Sequence, residues 1–125
     1  NLSPRGKIGV NCLIGLYAYV NGDVVIEDET LIGPYCSLTS NTHVFDPETR
    51  AFNKKNQGAP IKIGRGCWLA SGVTVTSGVT VGKGNLLCAN AVITKDTEDF
   101  AIYAGTPARK VGHIDLETGA LVWKK

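Results

Sequence analysis

An aliphatic residue recurs at every sixth position along most of the chain. Ile8, Ile14, Val20, Ile26, Ile32 and Leu38 form one series, and Ile63, Leu69, Val75, Val81, Leu87 and Ile93 form a second. The position after this leading residue is small in most hexads, as at Gly9, Gly15, Gly33, Gly64, Ala70 and Gly82. The fourth position after it is small or medium, as at Cys12, Ala18, Val24, Cys36, Cys67 and Ala91. The repeat predicts short strands, each followed by a corner. The leader points into a narrow interior, and the second inward site has room only for a small side chain. Glycine after the leader is expected to supply the backbone angles of the corner.

Three hexads make one triangular coil, so residues 18 apart should stack, Ile8 under Ile26 and Ile63 under Val81. Each coil adds about one strand spacing, ~4.8 Å, so four coils give a prism roughly 20 Å tall. The expected fold is all-β, a triangular β-helix of about four coils. So thin a prism buries little per residue, its flat faces invite self-association, and its ends are edges that need cover.

Between Thr42 and Ile61 the rhythm fails. Residues 44–60 read VFDPETRAFNKKNQGAP, polar and charged, with Pro47 and Pro60. This predicts an extruded, structureless loop of the kind that is usually functional or disordered. His43 stands where the regular coil gives way to it. The domain reading is a β-helix over 1–112 with the loop at 44–60. Residues 113–125 follow as a tail, with Leu121, Val122 and Trp123 apolar, acting as a cap or a subunit contact.

Composition changes this picture little. Thirteen basic and eleven acidic residues leave a formal charge of +2, too weak to argue for nucleic acid or an acidic membrane surface. No apolar run approaches the roughly 18 residues of a membrane span. The start, Asn1-Leu2-Ser3-Pro4, shows no signal-type apolar stretch and reads as the continuation of a preceding part. Cys12, Cys36 and Cys67 occupy small inward sites and read as buried hydrophobes, as does Cys88 after its leader. No two form a C-x-x-C pair, and as thiols they fit a reducing cytoplasm.

The stretch Asn41-Thr42-His43, then Gly58-Ala59-Pro60-Ile61-Lys62-Ile63-Gly64 and Cys67-Trp68-Leu69-Ala70-Ser71-Gly72, resembles the hexapeptide-repeat acyltransferases. The resemblance continues through Val92-Ile93-Thr94-Lys95-Asp96 and Ala104-Gly105-Thr106-Pro107-Ala108-Arg109. It lies nearest the galactoside and maltose O-acetyltransferase branch and the sugar acetyltransferases of surface-polysaccharide synthesis, and spans roughly residues 8 to 112. It implies a left-handed parallel β-helix, an exception to the usual right-handed crossover. It also implies a homotrimer with active sites between neighbouring prisms.

The activity it implies is transfer of an acetyl group from acetyl-CoA to a hydroxyl or amine of a sugar or related small acceptor. His43 matches the catalytic base, for which imidazole is suited by a pKa near neutrality. Ser71 matches the acetyl-CoA end of the site, where a donor would stabilise the tetrahedral oxyanion. Ala89 matches a backbone contact to the pantetheine arm. Thr94 and Lys95 match the pair near the far end of CoA, and Arg109 a base that reaches the nucleotide phosphates. Trp68 matches a residue lining the site, with Asn41 beside His43 on the acceptor side. Asp46 either orients the imidazole or caps a turn before Pro47.

The departures concern the acceptor. Gly112 stands where the galactoside branch often has a second arginine. The acidic residue that grips the sugar falls near Asn21 or Asp23, where the alignment slips. The branch's longer amino-terminal helical region is absent. Two other readings compete. A carbonic-anhydrase-like enzyme on the same prism needs about three zinc-bound histidines, and the chain has only His43 and His113. A structural or binding β-helix would leave the loop and His43 without purpose. The expectation is therefore an acetyl-CoA enzyme with no required metal and no nucleic-acid or membrane partner.

Overall fold

The computed structural model describes residues 2–125, and Asn1 lies outside the described residues. The first coil contains β1 (Lys7–Ile8), β2 (Leu13–Ile14) and β3 (Tyr19–Asn21). The second contains β4 (Val24–Ile26), β5 (Leu31–Ile32) and β6 (Ser37–Thr39). Two strands then leave the prism, β7 (His43–Asp46) and β8 (Ala51–Asn56). The third coil contains β9 (Ile61–Ile63), β10 (Trp68–Leu69) and β11 (Thr74–Val75). The fourth contains β12 (Thr80–Val81), β13 (Leu86–Leu87) and β14 (Val92–Ile93). The chain ends with β15 (Ala101–Gly105), β16 (Ala108–Ile114) and β17 (Leu121–Trp123).

The strands stack into three faces. The first is β1-β4-β9-β12, the second β2-β5-β10-β13 continued by β15, β16 and β17, and the third β3-β6-β11-β14. Within the coils all pairing is parallel and in the predicted register, with Ile8 opposite Ile26 and Ile63 opposite Val81. Across the interruption Ile26 pairs with Ile63, so the insertion leaves the register of the leaders intact. The reason is the interior. Ile26, Ile32, Leu38, Ile63, Leu69, Leu87 and Ile93 are fully buried, and Val24, Thr30, Cys36, Cys67, Val73 and Ala91 fill the smaller inward sites. Each buried leader contributes roughly 1.5–3 kcal/mol, all of it lost if a strand slips by one residue.

The glycines after the leaders serve a different purpose from the one expected. Left-handed backbone falls on the third residue after the leader, at Asn11, Tyr17, Glu29, Tyr35, Gly66, Gly72, Gly78, Gly84 and Asn90. Gly15, Gly33 and Gly64 instead lie flat against the next coil. A Cβ there would stand 2.6 Å from Pro34 N, 2.9 Å from Leu69 O and 2.8 Å from Lys83 N respectively. They permit close approach between coils and do not turn the corner.

The two ends differ. In the first coil Ile8 and Ile14 remain 44% and 39% exposed, because none of the described residues forms a coil below them. Above the fourth coil, side chains replace the carbonyls of a fifth. Asp96 Oδ1 accepts from Thr80 N at 2.8 Å, Thr97 Oγ1 from Gly82 N at 2.9 Å, and Asp99 Oδ1 from Lys83 N at 2.9 Å. Buried Asn85 donates from Nδ2 to Glu98 O at 2.7 Å and ties this segment down. β15 adds to the second face in parallel, and β16 and β17 follow antiparallel. β16 runs on past residue 112 and pairs with β17, so the tail extends the second face. Among the described residues no helix is long and apolar enough to cross a membrane.

Candidate functional site

His43 opens β7 at the corner between the third and first faces. The predicted loop is in fact a β-hairpin, with His43 opposite Asn56 and Phe45 opposite Phe52. Phe45 and Phe52 meet edge-on at 5.2 Å between ring centroids. The polar sequence concealed this alternation, which only the pairing across the turn makes visible. Asp46 settles as a turn cap, since its Oδ1 accepts from Glu48 N at 2.9 Å. His43 is exposed, and among the described residues its imidazole has no hydrogen-bond partner.

Three residues to which the sequence assigns no role, Asn56, Ser77 and Gly58, fix the base of the hairpin. Asn56 Oδ1 accepts from Thr42 N at 3.0 Å and Gly58 N at 2.8 Å, while its Nδ2 donates to Asn41 Oδ1 at 3.0 Å. Asn41 is thereby held beside His43. One coil higher, Ser77 donates to Ser40 O at 2.8 Å and accepts from Ala59 N at 2.8 Å, clamping the outgoing and returning chains. Gly58 lies where those chains cross, and a methyl there would fall on the Ser40 carbonyl oxygen. Only the glycine left a trace in the sequence, just before Ala59-Pro60.

The other predicted residues separate into two groups. Thr94 and Lys95 follow β14 on the same corner ridge as His43, two coils higher. With Asp96, Arg109 and Lys110 they line a cleft of about 340 Å³ beneath β16. Lys110 also pairs with Glu98 at 3.1 Å. Three cations against one lining carboxylate suit a phosphorylated ligand. Trp68, Ser71 and Ala89 lie elsewhere. Trp68 is on the outer surface of the second face, between Leu31 and Leu86. Ser71 and Ala89 occupy successive coils of the corner between the second and third faces, where Ser71 Oγ donates to Pro34 O at 3.4 Å. The third face stands between this corner and His43, so one copy of the chain does not bring His43 to Ser71.

The cysteines are all free thiols. Burial pushes Cys67 up to about 11 and raises Cys36 and Cys88 as well, which disfavours the nucleophilic thiolate. Among the described residues no group of three or more His, Cys, Asp or Glu is arranged to hold a metal ion.

Comparison with known proteins agrees with this architecture. The family profile described as Bacterial transferase hexapeptide (six repeats) matches residues 60–95. A galactoside O-acetyltransferase of Escherichia coli K12 is 32% identical over 115 residues, covering 86% of this chain and 56% of the relative. One from Lactococcus lactis is 30% identical over 142 residues, covering 90% of this chain and 66% of the relative. A solved galactoside acetyltransferase in complex with coenzyme A superposes with a TM-score of 0.68 at 28% identity, covering 93% of this chain and 62% of that one. The chain thus spans between 56% and 66% of these proteins' own lengths. The shared fold is the left-handed parallel β-helix. The chain belongs to the hexapeptide-repeat transferase family.

Proposed function

We propose that this protein transfers an acetyl group from acetyl-CoA to a hydroxyl, or an amine, of a sugar or related small acceptor. The observation that carries the reading is the arrangement on one corner ridge. A histidine that is exposed and, among the described residues, without a hydrogen-bond partner stands where the coil breaks, and two coils above it a cleft gathers Lys95, Arg109 and Lys110. The coenzyme A bound in the similar galactoside acetyltransferase supports the same assignment. Thr94 and Lys95 would meet the far end of CoA, with Lys95 and Arg109 on its phosphates, the Ala89 backbone would hold the arm, and Ser71 the thioester end. Asn41 and Trp68 would line the acceptor side.

His43 would take the acceptor's proton as its oxygen or nitrogen bonds to the thioester carbon. The carbon–sulfur bond then breaks, and the imidazolium returns the proton to the departing thiolate. Ser71 would donate to the oxyanion between these steps.

The site is completed by a neighbouring copy in a homotrimer. Leu13, Leu31 and Trp68 stand in register on the second face at 58%, 45% and 51% exposure, an apolar strip suited to burial. Among the described residues the hairpin pairs with no other strand, and an isolated two-stranded ribbon is marginal in water. Packing the hairpin of one copy beside the strip of the next would join His43 to Trp68 and Ser71. The tail at 113–125, with Trp123 exposed, serves as a cap or further contact. The four free thiols suit the cytoplasm.

Release of free thiol from acetyl-CoA, measured against a panel of sugars and amines, tests the reading. No release with any acceptor would favour a binding β-helix. Light scattering tests the assembly, and a stable monomer would remove the shared site.

A further inference from the structure

One exposed aromatic pair belongs to none of these roles. Tyr17 and Tyr35 occupy equivalent corners of the first two coils, between the second and third faces. Their rings stack at 5.3 Å and 26°. Both are largely exposed, at 69% and 64%, and both hold left-handed backbone, with φ of 62° and 61°. That backbone is what a corner of this coil requires, so the pair is set apart by its stacked, exposed rings and not by its torsion angles.

The next positions up this ridge are Gly72 and Asn90. The ladder of rings therefore stops at Tyr35. The face of Tyr35 turned away from Tyr17 looks toward the level of Gly72, which presents no side chain. The amide of Asn90 lies over Gly72, where it would meet any added Cβ. Among the described residues that amide makes no side-chain hydrogen bond. Ser71 borders the same level, and its coil is bonded to the one below through Gly72 N to Pro34 O at 2.9 Å. The space beside Ser71 thus has an aromatic floor and an amide above.

Resting on the acetyl-transfer reading, we propose that this space holds the ring of a pyranose acceptor, with its C–H face on Tyr35 and its hydroxyls toward Asn90. The negative face of an aromatic ring attracts such a C–H surface, and the amide can both donate to and accept from hydroxyls. Direction along the prism supports the assignment. In height along the prism the cationic cleft stands above the level of Ser71, at the fourth coil and beyond, though on the neighbouring ridge. A coenzyme running from Ser71 to that cleft leaves the ridge below Ser71 to the acceptor. Tyr17 braces Tyr35 from beneath. The acceptor class is then a sugar ring, in preference to an open-chain amine.

Thiol release is measured with methyl galactopyranoside, maltose and an acyclic amine, for wild type, Tyr35→Ala and Tyr35→Phe. In Tyr35→Ala the KM for the pyranosides should rise about tenfold, equivalent to roughly 1.4 kcal/mol. The KM for acetyl-CoA and the oligomeric state should not change, and Tyr35→Phe should resemble wild type. An unchanged pyranoside KM, a raised acetyl-CoA KM instead, or loss of the oligomer would overturn the proposal. Saturation-transfer NMR with methyl galactopyranoside gives a readout independent of turnover. Ring protons saturated in wild type and not in Tyr35→Ala support the platform. Equal saturation, or none in wild type, refutes it. Absence of thiol release from wild type with every acceptor would count against the acetyl-transfer reading and leave the NMR result to decide the platform.

Discussion

The corner between the third and first faces occurs twice with the same opening residues and two outcomes. After β11 the chain passes Thr76, Ser77 and Gly78 and is back inside the prism at Val79. After β6 it passes Thr39 and Ser40, leaves as a hairpin, and returns at Ile61 to the place Val24 holds one coil below. The strands on either side keep the same register in both cases. Register is therefore set by the buried leaders and not by the connections. A corner can be opened as far as the chain needs, provided the outgoing and returning strands are pinned where they cross. The regular corner carries structure alone. The opened one carries the exposed histidine.

The largest effect should come from removing the group that the opened corner presents. His43→Ala is expected to lower kcat for acetyl transfer about 10²–10⁴-fold, the usual contribution of a positioned general base. Urea unfolding should remain within about 0.5 kcal/mol of wild type, because His43 is exposed and has no hydrogen-bond partner among the described residues. Undiminished turnover would reject His43 as the base and leave the opened corner without a chemical role.

The crossing point comes next. Gly58→Ala places a methyl on the Ser40 carbonyl oxygen, and that oxygen is backbone that Ser77 holds from above. The outgoing or returning chain must shift. A loss of about 3 kcal/mol in urea unfolding is expected, with hydrogen exchange accelerated in residues 41–58 before the core coils. A loss spread evenly over all four coils would show that the crossing is part of the core and not a local pin.

These two predictions also mark what the chain reveals before it folds. The leaders were legible because burial in a narrow interior selects one residue type at one spacing. Ile8 and Ile14 obey the same rule and yet stay partly exposed, since burial needs a neighbouring coil as well as a pattern. The glycines were legible as small residues but not as close-approach sites. A sequence does not show whether a missing side chain serves its own backbone or the coil beside it. Phe45 and Phe52 meet through a hairpin register that the charged loop concealed, and Asn56 and Ser77 act through bonds between distant coils. Lys95 and Arg109 were assigned to one ligand by family resemblance, and the fold lines one cleft with both. Under the proposed assembly a second copy joins His43 to Ser71, a relation that no period within a single chain can express.

The interior behind the corners can be probed by pH. Cys67 lies in a small inward site, and burial raises its thiol to about 11 from an ordinary value of 9.0. Between these values the unfolded chain gives up the proton first, so the unfolded state binds fewer protons and stability falls as pH rises. Relative to Cys67→Ala at each pH, wild type should lose about 2–3 kcal/mol of its advantage between pH 9 and 11, at ~1.4 kcal/mol per pH unit. The comparison with the variant cancels the lysines and tyrosines that titrate in the same range. A constant difference across that window would mean that the site is wetter than its burial indicates.

The smallest effect belongs to the regular corner and completes the contrast. Gly78 has a φ of 82°, and a Cβ there would meet only the Ala59 Cβ at 3.4 Å, an ordinary contact. Gly78→Ala should therefore cost about 1–2 kcal/mol, from left-handed backbone strain alone. Gly78→Asn should cost less, because Asn tolerates this conformation and Asn90 already holds it at a different corner, with φ 62°. The paired measurement separates two reasons for a glycine. At Gly58 asparagine should be no better than alanine, because the obstacle is an atom in the way and not a torsion angle. If asparagine rescued both positions equally, the crossing would be strained in the same manner as any other corner, and the pin on the hairpin would have to lie in Asn56 and Ser77 alone.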